Sequence, residues 1–217
     1  MSPRPLLLGH RGARDAQSIP ENTLESFDLA LARGCDGFEF DVRVTGDGKA
    51  VICHDPQIDG VDVAISTVDR LPGLPQLEEV LIRYQQNAFL DIELKVPGLE
   101  AISSDLLKKH APSRGCVVSS FLPELLCAVH VRNVALPLGL ICEKNSQLDF
   151  WRALPVEYVI PHYKLVRPEL IREIQQTGAK VFVWTVNNPA DMRRFAHWGV
   201  DGIISDNTEV LVRTLTP

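Results

Sequence analysis

The sequence lacks the features that mark several large classes of protein. No run approaches the roughly 18 apolar residues that a membrane span needs, and only three leucines precede the first polar residues, too few for a secretory leader. Lys and Arg number 22 against 28 Asp and Glu, so the net charge is −6 and the basic excess of a nucleic-acid surface is missing. No G-x-G-x-x-G or Walker loop is present. We therefore expect no membrane span and no nucleic-acid partner, and the missing phosphate loop counts against an open doubly wound sheet.

Cysteines are few, and their arrangement excludes a disulfide framework. The five are odd in number and contain no C-x-x-C pair. Cys53, Cys116 and Cys142 lie inside apolar runs, where a free thiol behaves as a small buried hydrophobe. The simplest interpretation is a reducing compartment, so we predict a cytoplasmic location.

What the 217 residues do contain is a repeating pattern of short apolar runs followed by amphipathic helical patterns. The predicted strands are Leu6–Gly9, Gly37–Val42, Phe89–Leu94, Cys116–Ser119, Leu136–Cys142, Tyr158–Ile160, Lys180–Thr185 and Gly202–Ile204. Eight strand-then-helix units in this length predict an α/β fold, a (β/α)8 TIM barrel, with residues 1–217 forming one domain. The rival is an open doubly wound sheet, which usually has fewer strands and a glycine-rich phosphate loop.

Two local patterns set boundaries near the start of the chain. Asn22, with Glu25 three residues later, predicts an N-cap and capping box for the first helix. The turn sequence Thr45–Gly48 predicts a hairpin whose second arm is Ala50–Cys53. The segment from Asp55 to Pro75 is rich in Asp, Gly and Pro and predicts a loop.

Acidic and apolar residues alternate on two of the predicted strands. In Gly37–Val42, Glu39 and Asp41 share one face and the apolar side chains share the other. In Phe89–Leu94, Glu93 repeats the pattern. The apolar faces of barrel strands contact the helices, so these carboxylates are expected to point into the barrel, near the strand ends where active sites lie. Converging carboxylates need compensating charge, and oxygen ligands favour Mg²⁺ or Ca²⁺ over zinc.

The alternative for the same carboxylates is a set of salt bridges with Arg11, Arg43 and Lys95. Two histidines at strand ends favour function: His10 follows the first strand, and His54 follows the hairpin. Imidazole titrates near neutrality, so such a pair can act as base and acid on opposite sides of a displacement. The residues alone therefore predict metal-assisted cleavage of an anionic, phosphorylated substrate.

The sequence resembles the glycerophosphodiester phosphodiesterase family along nearly its whole length. The matching motifs are His10-Arg11-Gly12, Pro20-Glu21-Asn22-Thr23, Glu39-x-Asp41-Val42, His54-Asp55-Pro56, Glu93-x-Lys95, Ser120-Phe121, Trp184-Thr185-Val186-Asn187 and Asp201-Gly202-Ile203-Ile204-Ser205-Asp206. They occur in the family's order, and the first four together are highly specific.

The resemblance implies a (β/α)8 barrel that hydrolyses glycerophosphodiesters to sn-glycerol 3-phosphate and an alcohol with a divalent cation. It implies that His10 and His54 are the general acid/base pair. The residues that it implies for binding are Arg11 and Lys95 for the phosphate, Trp184 for the glycerol side, and Glu39, Asp41 and Glu93 for the metal. Packing beside Phe182 would also explain Trp184, which shares that residue's strand face.

One segment departs from the family pattern. Members carry an insertion after the His-Asp-Pro motif that roofs the pocket, and here Asp55–Pro75 leaves only about twenty residues for it. A shortened insertion between the second and third barrel strands suggests bulkier or non-standard diesters. The alternatives are a related barrel phosphodiesterase for lysophospholipids or sugar phosphodiesters, and a non-catalytic barrel that binds a phosphorylated ligand.

Overall fold

A closed barrel of parallel strands surrounded by helices forms the centre of this protein in a computed structural model. The structure describes residues 4–16 and 18–216. Within these ranges the strands are β1 (Leu6–His10), β2 (Gly37–Val44), β3 (Ala50–Ile52), β4 (Gln57–Ile58), β5 (Val61–Asp62), β6 (Phe89–Leu94), β7 (Cys116–Ser120), β8 (Leu138–Cys142), β9 (Tyr158–Pro161), β10 (Lys180–Val183) and β11 (Gly202–Ser205). The α-helices there are α1 (Leu24–Ala32), α2 (Leu77–Tyr84), α3 (Glu100–Lys109), α4 (Pro123–Arg132), α5 (Asn145–Leu148), α6 (Pro168–Gln175), α7 (Pro189–Trp198) and α8 (Thr208–Leu215).

The predicted (β/α)8 barrel is confirmed by the strand order. Neighbours run β1-β11-β10-β9-β8-β7-β6-β2, and pairing of β1 with β2 closes the ring. The hairpin arm β3 pairs antiparallel with β2 outside the ring. No helix of the described residues is long and apolar enough to cross a membrane.

Strand alternation sorts the apolar side chains into two layers. Side chains such as Phe38, Phe40 and Leu90 pack outward against the helices in the larger cluster. A smaller cluster that includes Leu8 and Phe182 fills the barrel lumen. Gly202 makes room for this filling, because a Cβ there would lie 2.5 Å from the Phe182 ring. The lumen is therefore closed by packed side chains at its lower end, and polar residues occupy its upper end.

The segment between β3 and α2 differs from the predicted loop. It holds the short strands β4 and β5 and a 3₁₀ helix at Val68–Arg70. Val63 and Leu71 are buried against Val51 and Cys53 of the hairpin region. The segment thus packs against the side of the barrel through its own small apolar cluster, which the polar composition of the sequence concealed.

Candidate active site

A cavity of about 270 Å³ opens at the carboxyl-terminal edge of the barrel. This is the edge at which the fold places active sites. The predicted site residues that line it are His10, Arg11, Glu39, His54, Glu93, Lys95 and Trp184. Asp41 is just behind the surface, 1% exposed, and touches the same cluster. The structure therefore brings all eight predicted residues together.

Three buried carboxylates form the floor of one side of the cavity. Glu39, Asp41 and Glu93 are 4%, 1% and 7% exposed, and one oxygen of each lies within 4.8 Å of the others. Their convergence follows from alternation along β2 and β6 and from the register that sets Asp41 beside Glu93. The inward orientation predicted from the sequence is confirmed by this packing.

These carboxylates have both ion-pair partners and unused oxygens. Lys95 Nζ lies 2.6 Å from Glu93 Oε1 and 3.2 Å from Asp41 Oδ1, but within the described chain neither oxygen accepts a well-aligned hydrogen bond. Glu39 Oε1 has no hydrogen-bond partner among those residues either. Arg43 does not join the cluster, since its Nε donates to the His54 carbonyl at 2.8 Å. Salt bridges alone therefore leave buried acceptors unsatisfied.

Burial and repulsion between the carboxylates disfavour the ionised form of the two glutamates in the cluster. Burial, followed by the neighbouring carboxylates, raises the pKa values of Glu39 and Glu93 above those of ordinary glutamates. Burial also acts to raise the pKa of Asp41, but Lys95 and Arg11 outweigh it and lower that pKa. The cluster is short of positive charge, and buried oxygens without partners fit a hard divalent cation.

His10 is held by an acidic residue from the far end of the chain. Its Nδ1 lies 2.6 Å from Asp206 Oδ1, and its Nε2 lies 3.8 Å from Glu39 Oε2. Burial acts to raise the pKa of Asp206, but the hydrogen bonds from His10 and Asn187 lower it on balance. An ionised Asp206 only accepts hydrogen bonds, so Nδ1 of His10 carries the proton and Nε2 faces the cavity.

His54 is braced in the same way at a more open position. Its Nδ1 lies 2.7 Å from Asp55 Oδ1, and its side chain is 36% exposed. The hydrogen bond to His54 is the largest of the causes that lower the pKa of Asp55. Both histidines therefore engage a carboxylate through Nδ1, which leaves Nε2 without a hydrogen bond among the described residues and available for proton transfer.

A left-handed backbone turn brings Arg11 back over the cluster. Arg11 has φ +53 and Gly12 has φ +84; a Cβ at Gly12 would lie 2.3 Å from Ser26 Oγ. The Arg11 amide donates to Glu39 at 3.0 Å, and its guanidinium bonds Glu21 at 2.7 Å. Glu21 thus holds the Arg11 guanidinium in place at the cavity.

Asn22 is not the helix cap that the sequence predicts. The N-cap is Thr23, whose side chain accepts from Ser26, and Ser26 completes the capping box. Asn22 is 5% exposed, and its side-chain amide donates to Asp41 Oδ2 at 2.8 Å. A one-residue error in the cap therefore concealed a residue that orients a candidate metal ligand.

The opposite wall of the cavity is apolar. Phe121, Ile141, Ile160 and Trp184 line it, and the rings of Phe121 and Trp184 meet edge to face at 5.6 Å. Trp184 Nε1 donates to the Ile160 carbonyl at 2.9 Å, which fixes the indole plane. The predicted position of Trp184 in the pocket and its packing in the lumen are both observed.

The sequence interpretation assigned no role to Asp206, its partner Asn187, or Glu143. Asn187 donates to Asp206 Oδ2 at 2.6 Å, and Glu143 lines the apolar wall. A signal was available, because Asp206 and Glu143 each follow the end of a barrel strand, the same rule that singled out His10.

Comparisons with known proteins agree with this geometry. The model of the glycerophosphoryl diester phosphodiesterase family matches residues 10–100 and 77–210. A glycerophosphodiester phosphodiesterase of Caldanaerobacter subterraneus subsp. tengcongensis is 32% identical over 95% of this chain and 96% of its own length. A putative glycerophosphoryl diester phosphodiesterase from Silicibacter pomeroyi has a crystal structure with TM-score 0.88 and 26% identity, covering 98% of this chain and 94% of its own.

A third protein, a phosphodiesterase from Oleispira antarctica solved with its product sn-glycerol 3-phosphate, shares the fold. Its TM-score is 0.86 at 24% identity, with 99% of this chain and 98% of that chain covered. The fold and the matches together define an enzyme, a phosphoric diester hydrolase. The chain belongs to the glycerophosphoryl diester phosphodiesterase family, whose members generally depend on a divalent metal.

Proposed function

We propose that this enzyme hydrolyses glycerophosphodiesters to sn-glycerol 3-phosphate and an alcohol, with His10 and His54 as its general acid/base pair. The observation that carries the proposal is two carboxylate-braced histidines beside a buried carboxylate cluster in one cavity. The relative from C. subterraneus bears the corresponding name, and the O. antarctica neighbour holds the corresponding product. Both support the same substrate class.

The histidines supply the proton transfers. Each has its Nδ1 held by Asp206 or Asp55, so Nε2 is the nitrogen that can exchange a proton with the substrate. One imidazole, neutral at Nε2, accepts the proton of the attacking oxygen. The other starts as an imidazolium protonated from solvent and gives its Nε2 proton to the leaving alcohol, and exchange with solvent restores both histidines after turnover. This division requires two groups that titrate near neutrality, and each such transfer contributes about 10²- to 10⁴-fold.

The cation site fits the residues present. Glu39, Asp41 and Glu93 would hold a Mg²⁺ or Ca²⁺ ion through buried oxygens that lack hydrogen bonds among the described residues. When bound, such an ion neutralises negative charge on the phosphate oxygens as a Lewis acid. The protein itself holds the three carboxylates close together and shielded from solvent.

Arg11 and Lys95 are proposed to bind the phosphate. Both line the cavity, with side chains that are 12% and 14% exposed. Their charge is shared with the acidic cluster, which holds them in place before substrate arrives. On the apolar wall, Trp184 and Phe121 present ring surface to the carbon skeleton of the glyceryl group.

A second candidate is a relative of this activity that cleaves lysophospholipids or sugar phosphodiesters. The specific observation in its favour is that no described residue between 57 and 75 lines the cavity, since that segment packs on the hairpin. The segment therefore contributes no cover to the cavity. Membership of a hydrolase family and the complete set of eight residues favour either enzyme over a non-catalytic binding barrel.

The test is release of sn-glycerol 3-phosphate by the purified enzyme with Mg²⁺ or Ca²⁺ from a panel of diesters. The panel holds glycerophosphodiesters with several alcohols, a lysophospholipid and a sugar phosphodiester, each assayed with and without EDTA. We expect turnover of glycerophosphodiesters that chelation abolishes. Absence of product from every glycerophosphodiester contradicts the first proposal, and full activity under EDTA removes the cation from it.

Two wider properties are proposed with the activity. Residues 1–217 act as one domain, supported by a single closed barrel over residues 6–205 and by family matches within it. The location is the cytoplasm, supported by four buried thiols without a disulfide among the described residues: Cys35, Cys53, Cys116 and Cys142. Fractionation of cells that produce the protein tests the location, and thiol titration with and without denaturant tests whether the cysteines are free and buried.

A further inference from the structure

Glu143 is the polar side chain on the apolar wall that the proposed chemistry leaves unexplained. It follows the end of β8 directly, is solvent-exposed and lines the cavity. Around it the wall consists of carbon surface from Ile141, Ile160, Phe121 and Trp184. The Glu143 carboxylate is therefore accessible to a molecule that occupies the cavity.

The backbone on both sides of Glu143 is anchored. Gln147 Oε1 accepts from the amides of Glu143 and Lys144 at 2.8 and 2.9 Å, which fixes the start of α5. The preceding carbonyl, of Cys142, accepts from the His162 amide at 2.7 Å. The carboxylate is therefore presented from a fixed point on the rim.

Within residues 4–16 and 18–216, the Glu143 carboxylate accepts no hydrogen bond and has no cationic group within 4 Å. The Trp184 indole N–H is already donated to Ile160. Burial and then Lys164 lower the pKa of His162 below that of an ordinary histidine although the Glu143 charge acts to raise it, and the two side chains form no ion pair within 4 Å. Among the described residues, the apolar wall therefore offers one available hydrogen-bond acceptor, the Glu143 carboxylate, next to apolar side chains. Its indole N–H donor, on Trp184, is already bonded to the Ile160 carbonyl.

The ligand that fits this wall is a group with a short carbon skeleton and with O–H hydrogen-bond donors. A glyceryl group has both, whereas a simple alkyl group has carbon alone. We propose that Glu143 determines specificity for the glyceryl moiety by accepting hydrogen bonds from its hydroxyl groups. The inference rests on the proposed function, since it names what the apolar wall of that site selects.

The carboxylate acts on a phosphorylated ligand in two opposite ways. Its charge repels the phosphate of any ligand in the cavity, while its oxygens attract hydroxyl groups. Removing Glu143 should therefore weaken binding of a phosphorylated glycerol and leave binding of an alkyl phosphate unchanged or tighter. A general defect of folding or of the phosphate site would weaken both.

The experiment is calorimetric titration of wild-type enzyme, Glu143→Leu and Glu143→Gln with sn-glycerol 3-phosphate and n-propyl phosphate in the presence of Mg²⁺. We expect Glu143→Leu to bind sn-glycerol 3-phosphate about tenfold more weakly, with n-propyl phosphate no weaker than in wild type. Glu143→Gln keeps an acceptor and should stay within about threefold of wild type for both ligands. Glu143→Ala replaces Glu143→Leu if the latter does not unfold cooperatively.

Three results would overturn the inference. These are equal losses for both ligands in Glu143→Leu, no loss for either, and a loss in Glu143→Gln as large as in Glu143→Leu. A cationic head group is the rival ligand; in that case Glu143→Leu and Glu143→Gln would both lower turnover of glycerophosphocholine while neither variant lost affinity for sn-glycerol 3-phosphate, which is the second of these results. Because titration needs no turnover, an enzyme that binds selectively but hydrolyses no glycerophosphodiester would refute the proposed function and not this inference.

Discussion

The two halves of the cavity are held in place by different forces. In the charged half, formed by His10, Arg11, Glu39, His54 and Glu93, side chains are fixed by hydrogen bonds and ion pairs with named partners. In the apolar half, formed by Phe121, Ile141, Ile160 and Trp184, they are fixed mainly by packing, with one hydrogen bond from the Trp184 indole to the Ile160 carbonyl. Hydrogen bonds and ion pairs are directional and fix the positions of individual atoms, whereas apolar packing fixes the shape of the cavity wall. We therefore expect the charged half to govern kcat and the apolar half to govern KM.

The largest effect is expected from His10→Asn, which removes a proton-transfer group from the charged half. We expect kcat to fall by about 10³-fold, because general acid/base catalysis contributes 10²- to 10⁴-fold. Steady-state kinetics on a glycerophosphodiester measures this. The matched control is His197→Asn, on the exposed face of α7, which should keep wild-type kcat. Equal losses in both variants would refute a catalytic role for His10.

Glu93→Gln tests the cation site within the same half. Loss of one anionic ligand should weaken the apparent affinity for Mg²⁺ by about 10- to 100-fold, a cost comparable to that of disrupting groups that support metal ligands. The measurement is activity against Mg²⁺ concentration, with direct titration of the metal as a second readout. Unchanged metal affinity in both readouts would contradict the assignment of Glu93 as a ligand.

Asp206→Asn tests whether catalysis depends on the orientation of the His10 imidazole as well as on its presence. The variant loses the charged acceptor that sets the His10 tautomer, so kcat should fall by about 10²-fold, within the range of a general acid/base contribution, with KM little changed. Asp206→Glu should recover part of the rate if a carboxylate acceptor is what His10 needs. A loss confined to KM would contradict a positioning role.

The same variant has a signature in stability against pH. His10 and Asn187, against the effect of burial, lower the pKa of Asp206, so its ionised form stabilises the fold above the ordinary aspartate pKa of about 4 and this contribution is lost on acidification. Asp206→Asn should therefore be less stable than wild type at pH 7, by about 1–2 kcal/mol. The difference should shrink as pH falls below about 4, as measured by urea unfolding.

Trp184→Leu probes the apolar half and should act mainly on KM. Loss of ring surface weakens substrate contact, so we expect KM to rise about tenfold with kcat within about threefold of wild type. The control Trp198→Leu changes an indole on α7 that packs on Phe195 and does not line the cavity. A Trp184→Leu variant that lost kcat alone would break the division between the two halves.

The smallest effect is expected from Thr23→Ala, because Thr23 lies close to the charged half but does not line the cavity. Loss of the α1 N-cap should lower the free energy of unfolding by about 1 kcal/mol and leave kcat unchanged. Urea unfolding and steady-state kinetics measure the two quantities. A large loss of kcat would show that the charged half depends on general rigidity and not only on its direct bonds.

Particular residues show how far the sequence could be interpreted. Alternation along β2 and β6 predicted that Glu39, Asp41 and Glu93 point inward, and the strand pattern predicted the barrel; both agree with the structure. The cap prediction at Asn22 was wrong by one residue because Thr23, next to it, is an equally good capping residue. The residues from 55 to 75 were predicted as a loop because two-residue strands leave no periodic signal.

The sequence by itself determined the barrel, the edge that carries the site and most of the residues there, because side-chain period and strand ends are local properties. Only the tertiary structure decided which neighbouring side chain holds each site residue in place. Asp206 reaches His10 across 196 positions of sequence, and Asn22 reaches Asp41. Closure of β11 on β1 creates the first contact, and the left-handed turn at Arg11 precedes the second. Such contacts depend on which strands and turns meet in the folded barrel, and no local sequence pattern predicts that.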